Sequence, residues 1–155
     1  MKRILLALAV ATFTGQAAET ISGAAYVIDG DTIRISGAHI RLSGIDAPER
    51  EQSCMRGAAQ WRCGEAAKES LVRFIAGRAL QCSPRDRDRY GRIVAVCFVN
   101  GEDVGGWMVR EGWALAYRRY SRDYVDAEKA ARTHRRGIWT SRFEAPWRWR
   151  RAHRW

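Results

Sequence analysis

Four carboxylates, Asp29, Asp31, Asp46 and Glu49, punctuate the stretch IDGDTIRISGAHIRLSGIDAPE from Ile28 to Glu49, which otherwise reads as buried β-structure. Ile33 and Ile35 alternate with Arg34 and Ser36, the pattern of a strand with one face in a core. Asp29-Gly30 and Ser36-Gly37 are turn signals, and Ile40, Leu42 and Gly44-Ile45 carry the returning strand. The expected product is a three-stranded meander with carboxylates at strand ends and Arg41 between two apolar neighbours. Charges placed there are costly unless something compensates them, and a divalent cation or a phosphate is the usual compensator. Taken singly, Asp29 and Asp46 are also ordinary turn residues, because Asp-Gly and Asp-Ala-Pro are common turn chemistry.

Other chemistries find little support. His39 sits in a hairpin turn and the other histidines come late in the chain, so nothing points to histidine-based catalysis. Neither a Walker-type glycine loop nor a Gly-x-Ser-x-Gly elbow is present.

The full string resembles the staphylococcal-nuclease (thermonuclease) family, in which V-x-D-G-D-T is followed by R-L-x-G-I-D-A-P-E. A second family signature, D-x-Y-G-R, stands here as Asp88-Arg89-Tyr90-Gly91-Arg92, and Gly137-Ile138-Trp139 matches the closing segment. The resemblance covers roughly Ala24 to Trp139. It implies that Asp31 and Asp46 bind Ca²⁺ together with the carbonyl of Ala47, where the family often has threonine. It implies further that Arg41 and Arg92 grip phosphate, as a guanidinium can with two oxygens at once. Glu49, after Pro48, matches the residue that holds the attacking water as general base or orienting group. Tyr90 and Tyr117 match residues lining a nucleotide pocket, with Tyr120 the alternative to Tyr117 if the register slips. Asp29 reads as a structural or outer partner, and Thr32 as a hydroxyl beside the metal.

Positioning these groups takes a folded domain, and the elements for one are present. Residues 1–17 read as a signal peptide: Lys2-Arg3, an apolar run from Ile4 to Phe13, then Gly15-Gln16-Ala17. Cleavage near Ala17 or Ala18 leaves about 138 residues, enough for one core, and export to the periplasm or medium is expected. No other stretch is long enough to span a membrane. Setting Lys2 and Arg3 aside reduces the 27 basic residues to 25 against 17 acidic ones, a net charge of +8, which suits a polyanion such as nucleic acid.

The four cysteines allow three pairings, of which Cys54–Cys63 and Cys82–Cys97 are favoured. The first clips the loop SCMRGAAQWRC ahead of a helix, and the second joins two strands, ALQCS and IVAVCFV, across PRDRDRYG. Helices are expected over residues 65–77, 104–111 and about 124–136, and strands near 24–29, 31–36, 39–45, 79–83 and 92–99. Five strands with three helices fit an α+β fold, and the resemblance selects the five-stranded OB-fold barrel over residues 18–141. The basic tail 142–155, RFEAPWRWRRAHRW, alternates Arg with Trp. That suits base stacking with phosphate pairing, contact with an anionic membrane surface, or packing of Phe143, Pro146, Trp147 and Trp149 onto the barrel. The resulting expectation is a monomeric, exported, Ca²⁺-dependent hydrolase of DNA and RNA phosphodiesters, single-stranded or frayed ones above all, leaving 3′-phosphates. A non-catalytic single-strand-binding module of the same fold is the alternative.

Overall fold

The structure, a computed structural model, describes residues 19–153. The expected signal peptide and its cleavage point, with Arg154 and Trp155 of the tail, lie outside the described residues. Two short strands, β1 (Ile21–Ala24) and β2 (Tyr26–Val27), are separated by Ala25 alone. Strands β3 (Thr32–Ile35) and β4 (Ala38–Leu42) follow in an antiparallel meander. Ser36 and Gly37 turn between them with φ of 48° and 85°, the doubly left-handed turn that matches strand twist.

Next come β5 (Ile45–Asp46), the small hairpin β6 (Cys54–Arg56) and β7 (Ala59–Trp61), and helix α1 (Cys63–Ile75). Strands β8 (Ala79–Arg87), β9 (Ile93–Val99) and β10 (Glu102–Asp103) lead into α2 (Val104–Arg110). Strand β11 (Leu115–Ala116), α3 (Val125–Thr133), a 3₁₀ turn at Gly137–Thr140 and α4 (Pro146–Ala152) complete the chain.

The main sheet runs β1-β8-β9-β4-β3-β2. Its two ends are halves of one nearly continuous strand, so the sheet closes on itself: β1 pairs with β8 and β2 with β3. Among the described residues only β4 and β9 pair in parallel. This is the nearly closed, five-stranded α+β barrel the resemblance implied. Alternation fills it, with Ile33, Ile35, Ile40, Leu42, Leu80, Ala95 and Val99 inside and Arg34 and His39 outside. Helix α1 adds Ala67, Leu71 and Ile75 to that core, and α2 adds Val104, Met108 and Val109.

A second cluster gathers Cys54, Cys63, Leu115 and Ile138 under Trp61, Trp113, Trp139, Phe143, Ala145 and Trp147. Both favoured disulfides are present. Cys82 and Cys97 face each other across β8 and β9, and Cys54 is joined to Cys63 at the start of α1.

Several details differ from the sequence reading. There are four α-helices rather than three among the described residues, the fourth formed by PWRWRRA in the tail with Pro146 at its first turn. The loop clipped by Cys54–Cys63 is itself a hairpin. Strand β8 extends through Pro84 to Arg87, because a register shift between Pro84 and Asp86 lets pairing with β9 continue. The tight turn is confined to Asp88–Arg92, where the Tyr90 and Arg92 amides donate to Asp88 Oδ1. Helix α3 stops at Thr133, ahead of left-handed Arg135 and Gly137.

Candidate active site

The carboxylates expected at strand ends converge. Asp31 precedes β3, Asp46 ends β5, and both are buried. The Asp29-Gly30-Asp31 turn is held by the Asp31 amide donating to Asp29 Oδ1 at 3.0 Å and by the Leu42 amide donating to the Asp31 carbonyl at 2.8 Å. Strand β11 fixes β5 from the other side: Leu115 lies opposite Asp46, and the Tyr117 amide donates to the Gly44 carbonyl at 2.9 Å. Buried Glu128 of α3 anchors β11 in turn by accepting from the Ala116 amide at 3.0 Å.

Arg41 of β4 joins the two aspartates. Its Nη1 donates to Asp31 Oδ1, and its Nη2 to Asp46 Oδ1 at 2.8 Å. Asp31 Oδ2 accepts from the Ala47 amide at 2.8 Å, which draws the Asp-Ala-Pro turn onto the Asp-Gly-Asp turn. Gly30 permits this approach, since a Cβ there would lie 2.7 Å from the Ala47 Cβ. Thr32 Oγ1 donates to Asp31 Oδ1 at 3.0 Å and accepts from Arg92 Nη1 at 3.4 Å, linking the second signature to the first. Asp88 orients Arg92 through its Nε at 2.7 Å.

Electrostatics follow from burial and these partners. Burial, reinforced by the Asp31 charge, pushes the Asp29 carboxyl up to about 7. Burial also pushes Asp31 up, but Arg41 and the Ala47 amide outweigh it and hold that carboxyl below the usual range. Asp46 stays above its ordinary value, because burial and the Asp31 charge outweigh its arginine partners.

Glu49 is placed by contacts no motif announced. Its amide donates to Oε1 of buried Gln52 at 3.3 Å, and Gln52 Nε2 donates to the Glu144 carbonyl at 2.7 Å. Gly64, in the first turn of α1, packs so closely that a Cβ there would lie 1.7 Å from the Glu49 carbonyl oxygen. A glycine inside a helical pattern is the one sequence signal that marks such an approach. Gln52 carries no signal.

The tail supplies the largest surprise. Arg150 of α4 donates through Nη1 and Nη2 to the two oxygens of Asp46, at 2.9 Å each, and through Nη1 to Glu49 Oε1 at 2.7 Å. Trp147, one turn earlier, stacks on Tyr117 with ring centroids 5.5 Å apart and planes 4° from parallel. Tyr120 meets Tyr117 edge-on at 4.9 Å. Phe143 and Trp147 pack on the second cluster and Pro146 is buried, whereas Trp149 stacks on His153. Tyr90 stands apart, 68% exposed, with the Arg89 and Arg92 guanidiniums 4.8 and 5.5 Å from its ring centre.

Thus Asp31, Asp46, Ala47, Arg41 and Glu49 meet in one place, with Arg92 reaching it through Thr32. Tyr117 lies under α4 and Tyr90 at the exposed turn. Among the described residues no group of three or more metal-ligating side chains is gathered with its ligand atoms together. Asp31 and Asp46 nevertheless offer hard oxygen donors close enough to share one guanidinium, which fits a hard cation such as Ca²⁺. Positive charge from Arg41 and Arg150 occupies that position here.

Residues 39–141 match the family described as staphylococcal nuclease homologue. The chain is 40% identical over 145 residues to the succinoglycan biosynthesis protein ExoI of Rhizobium meliloti, covering 90% of this chain and 75% of that protein. It is 32% identical over 144 residues to a micrococcal nuclease of Shigella flexneri, covering 81% of this chain and 78% of that one. A probable staphylococcal-like nuclease of Oryza sativa, CAN1, is 36% identical over 114 residues; the match takes in 72% of this chain but 32% of that protein.

Proposed function

Because this chain belongs to the staphylococcal nuclease homologue family, we propose that it is an exported, Ca²⁺-dependent nuclease hydrolysing phosphodiester bonds in DNA and RNA. The observation that carries this reading is the convergence of Asp31, Asp46 and Glu49 with Arg41, and through Thr32 with Arg92, at one edge of the barrel. Without residues 1–17 the 25 basic and 17 acidic residues leave a net charge of +8, which suits a polyanionic substrate, with single-stranded or frayed ends the easiest to admit. A monomer is sufficient, since one chain supplies every group named.

In the transition state a phosphodiester carries two negative charges, between an attacking and a leaving oxygen. Arg92, braced by Asp88, and Arg41 are the guanidiniums that hold the phosphoryl oxygens in this reading. Glu49, on the rigid Pro48 turn, takes the proton of the attacking water. Asp31 and Asp46, with the Ala47 carbonyl, would hold Ca²⁺, which supplies charge stabilisation to the phosphate. Tyr90 and Tyr117 offer rings to flanking bases. Cleavage of the bond to the 5′-oxygen leaves 3′-phosphates.

End analysis of a single-stranded oligonucleotide digested with Ca²⁺ present tests the reading. Products whose 3′-terminal phosphates are removed by phosphatase support it. Intact oligonucleotide that is nevertheless bound would support the binding-module alternative.

A further inference from the structure

The helix α4 (Pro146–Ala152) lies over the site and makes two separate contacts with it. Trp147 covers the face of Tyr117, and the Arg150 fork takes both oxygens of Asp46 and one of Glu49. Asp46 is wholly buried, while the Arg150 side chain remains 32% exposed. Arg41 is locked deeper, bridging Asp31 and Asp46 with its side chain 14% exposed. A cation approaching Asp46 therefore meets two guanidiniums, one on barrel strand β4 and the other on the short helix α4 of the tail. Arg41 takes only Oδ1 of Asp46, whereas the Arg150 fork takes both oxygens, so a cation can reach Asp46 Oδ2 only by displacing Arg150.

We propose that Arg150 is the protein's own counter-ion for Asp46 and Glu49, and that a divalent cation gains Asp46 by displacing it. The proposal rests on the Ca²⁺ site of the proposed function. Without the cation, α4 neutralises the carboxylates and caps Tyr117. Displacement of Arg150 frees Glu49 and loosens the cap together. Burying Asp46 uncompensated would be costly, which accounts for a bidentate arginine at this place in the tail. Trp147 and Arg150, three residues apart on one helix, face the site together.

The test is calorimetric titration of Ca²⁺, without nucleic acid, into the wild-type chain and into Arg150→Ala, Arg150→Lys and Trp147→Ala. Arg150→Ala should bind Ca²⁺ about tenfold tighter or more, as when a self-blocked site becomes open. Arg150→Lys, which keeps charge but not the fork, should fall between. Trp147→Ala touches no carboxylate and should tighten binding by loosening α4, which keeps the test informative if Arg150→Ala folds poorly. Thermal melts supply a second readout: Arg150→Ala should melt lower than wild type without Ca²⁺ and gain more from its addition. Equal or weaker Ca²⁺ affinity in Arg150→Ala and Trp147→Ala overturns the displacement while leaving the Ca²⁺ site standing. No binding by any variant overturns both.

Discussion

Glu49 carries the proton in the proposed reaction, and its surroundings make that role measurable. Its carboxylate accepts from Arg150, and its backbone is pinned by Gln52 and by the close approach of Gly64. Glu49→Gln keeps shape and hydrogen bonding but removes the proton acceptor. The expected loss in kcat is about 10²–10⁴-fold, with the fold intact. Steady-state rates at saturating Ca²⁺ check this, and a loss within about threefold would be too small for proton-transfer catalysis. Asp31 and Asp46 differ from Glu49 in kind, because both are buried and tied to Arg41, so their substitution acts on the architecture of the site as well as on ligand affinity.

At the scale of elements, two contacts set where the carboxylates stand. Gly64→Ala puts a methyl group against the Glu49 carbonyl, so α1 and the Pro48 turn must separate. Helix propensity alone would make this change stabilising by about 1 kcal/mol. Overcrowding instead predicts a loss of about 1–3 kcal/mol, with activity falling further than the melting temperature implies. Denaturant unfolding decides the sign. The second contact is Tyr124, whose hydroxyl donates to Asp103 Oδ2 at 2.7 Å while its ring packs beside Gly44 and ties the α3 approach to the start of α2. Burial and the Asp103 partner push the Tyr124 phenol well above its ordinary value of 10.0. Its bond therefore contributes fully below that value and is lost as pH rises toward the folded-state value. Tyr124→Phe should cost about 1 kcal/mol near neutrality and flatten that alkaline decline, as read by unfolding across pH.

For the molecule as a whole, the barrel is closed by the joined β1 and β2, and its β8–β9 hairpin is stapled by Cys82–Cys97. Replacing both of these cysteines by alanine should lower stability by about 3 kcal/mol in the chain-entropy model, measured by urea unfolding. Much of this was legible in the sequence, because the Asp31–Asp46 meander and the Asp88–Arg92 turn are local: strand, turn and chemistry occupy the same few residues. Both disulfides were legible too, since each joins neighbouring elements. Gly64 carried only the signal of a glycine in a helical pattern, and Gln52 and Arg150 carried none, because their partners Glu144 and Asp46 lie far off in the chain. The tail was legible in part: packing of Phe143, Pro146 and Trp147 was one of its three readings, whereas Trp149 stacks on His153 instead. Its Arg/Trp alternation hides a helical spacing, Trp147 to Arg150, that shows only once Pro146 starts a turn and the second cluster receives the ring.

If the carboxylate and arginine cluster cuts phosphodiesters, cleavage must depend on both the cation and Asp46. Single-stranded DNA is incubated with the chain in Ca²⁺ or in chelator, with Asp46→Ala alongside, and the products are resolved by length. A ladder of fragments is expected in Ca²⁺ and none in chelator, with Asp46→Ala losing most cleavage even at high Ca²⁺. Retarded but uncut DNA, or cleavage indifferent to both chelator and Asp46→Ala, would contradict it.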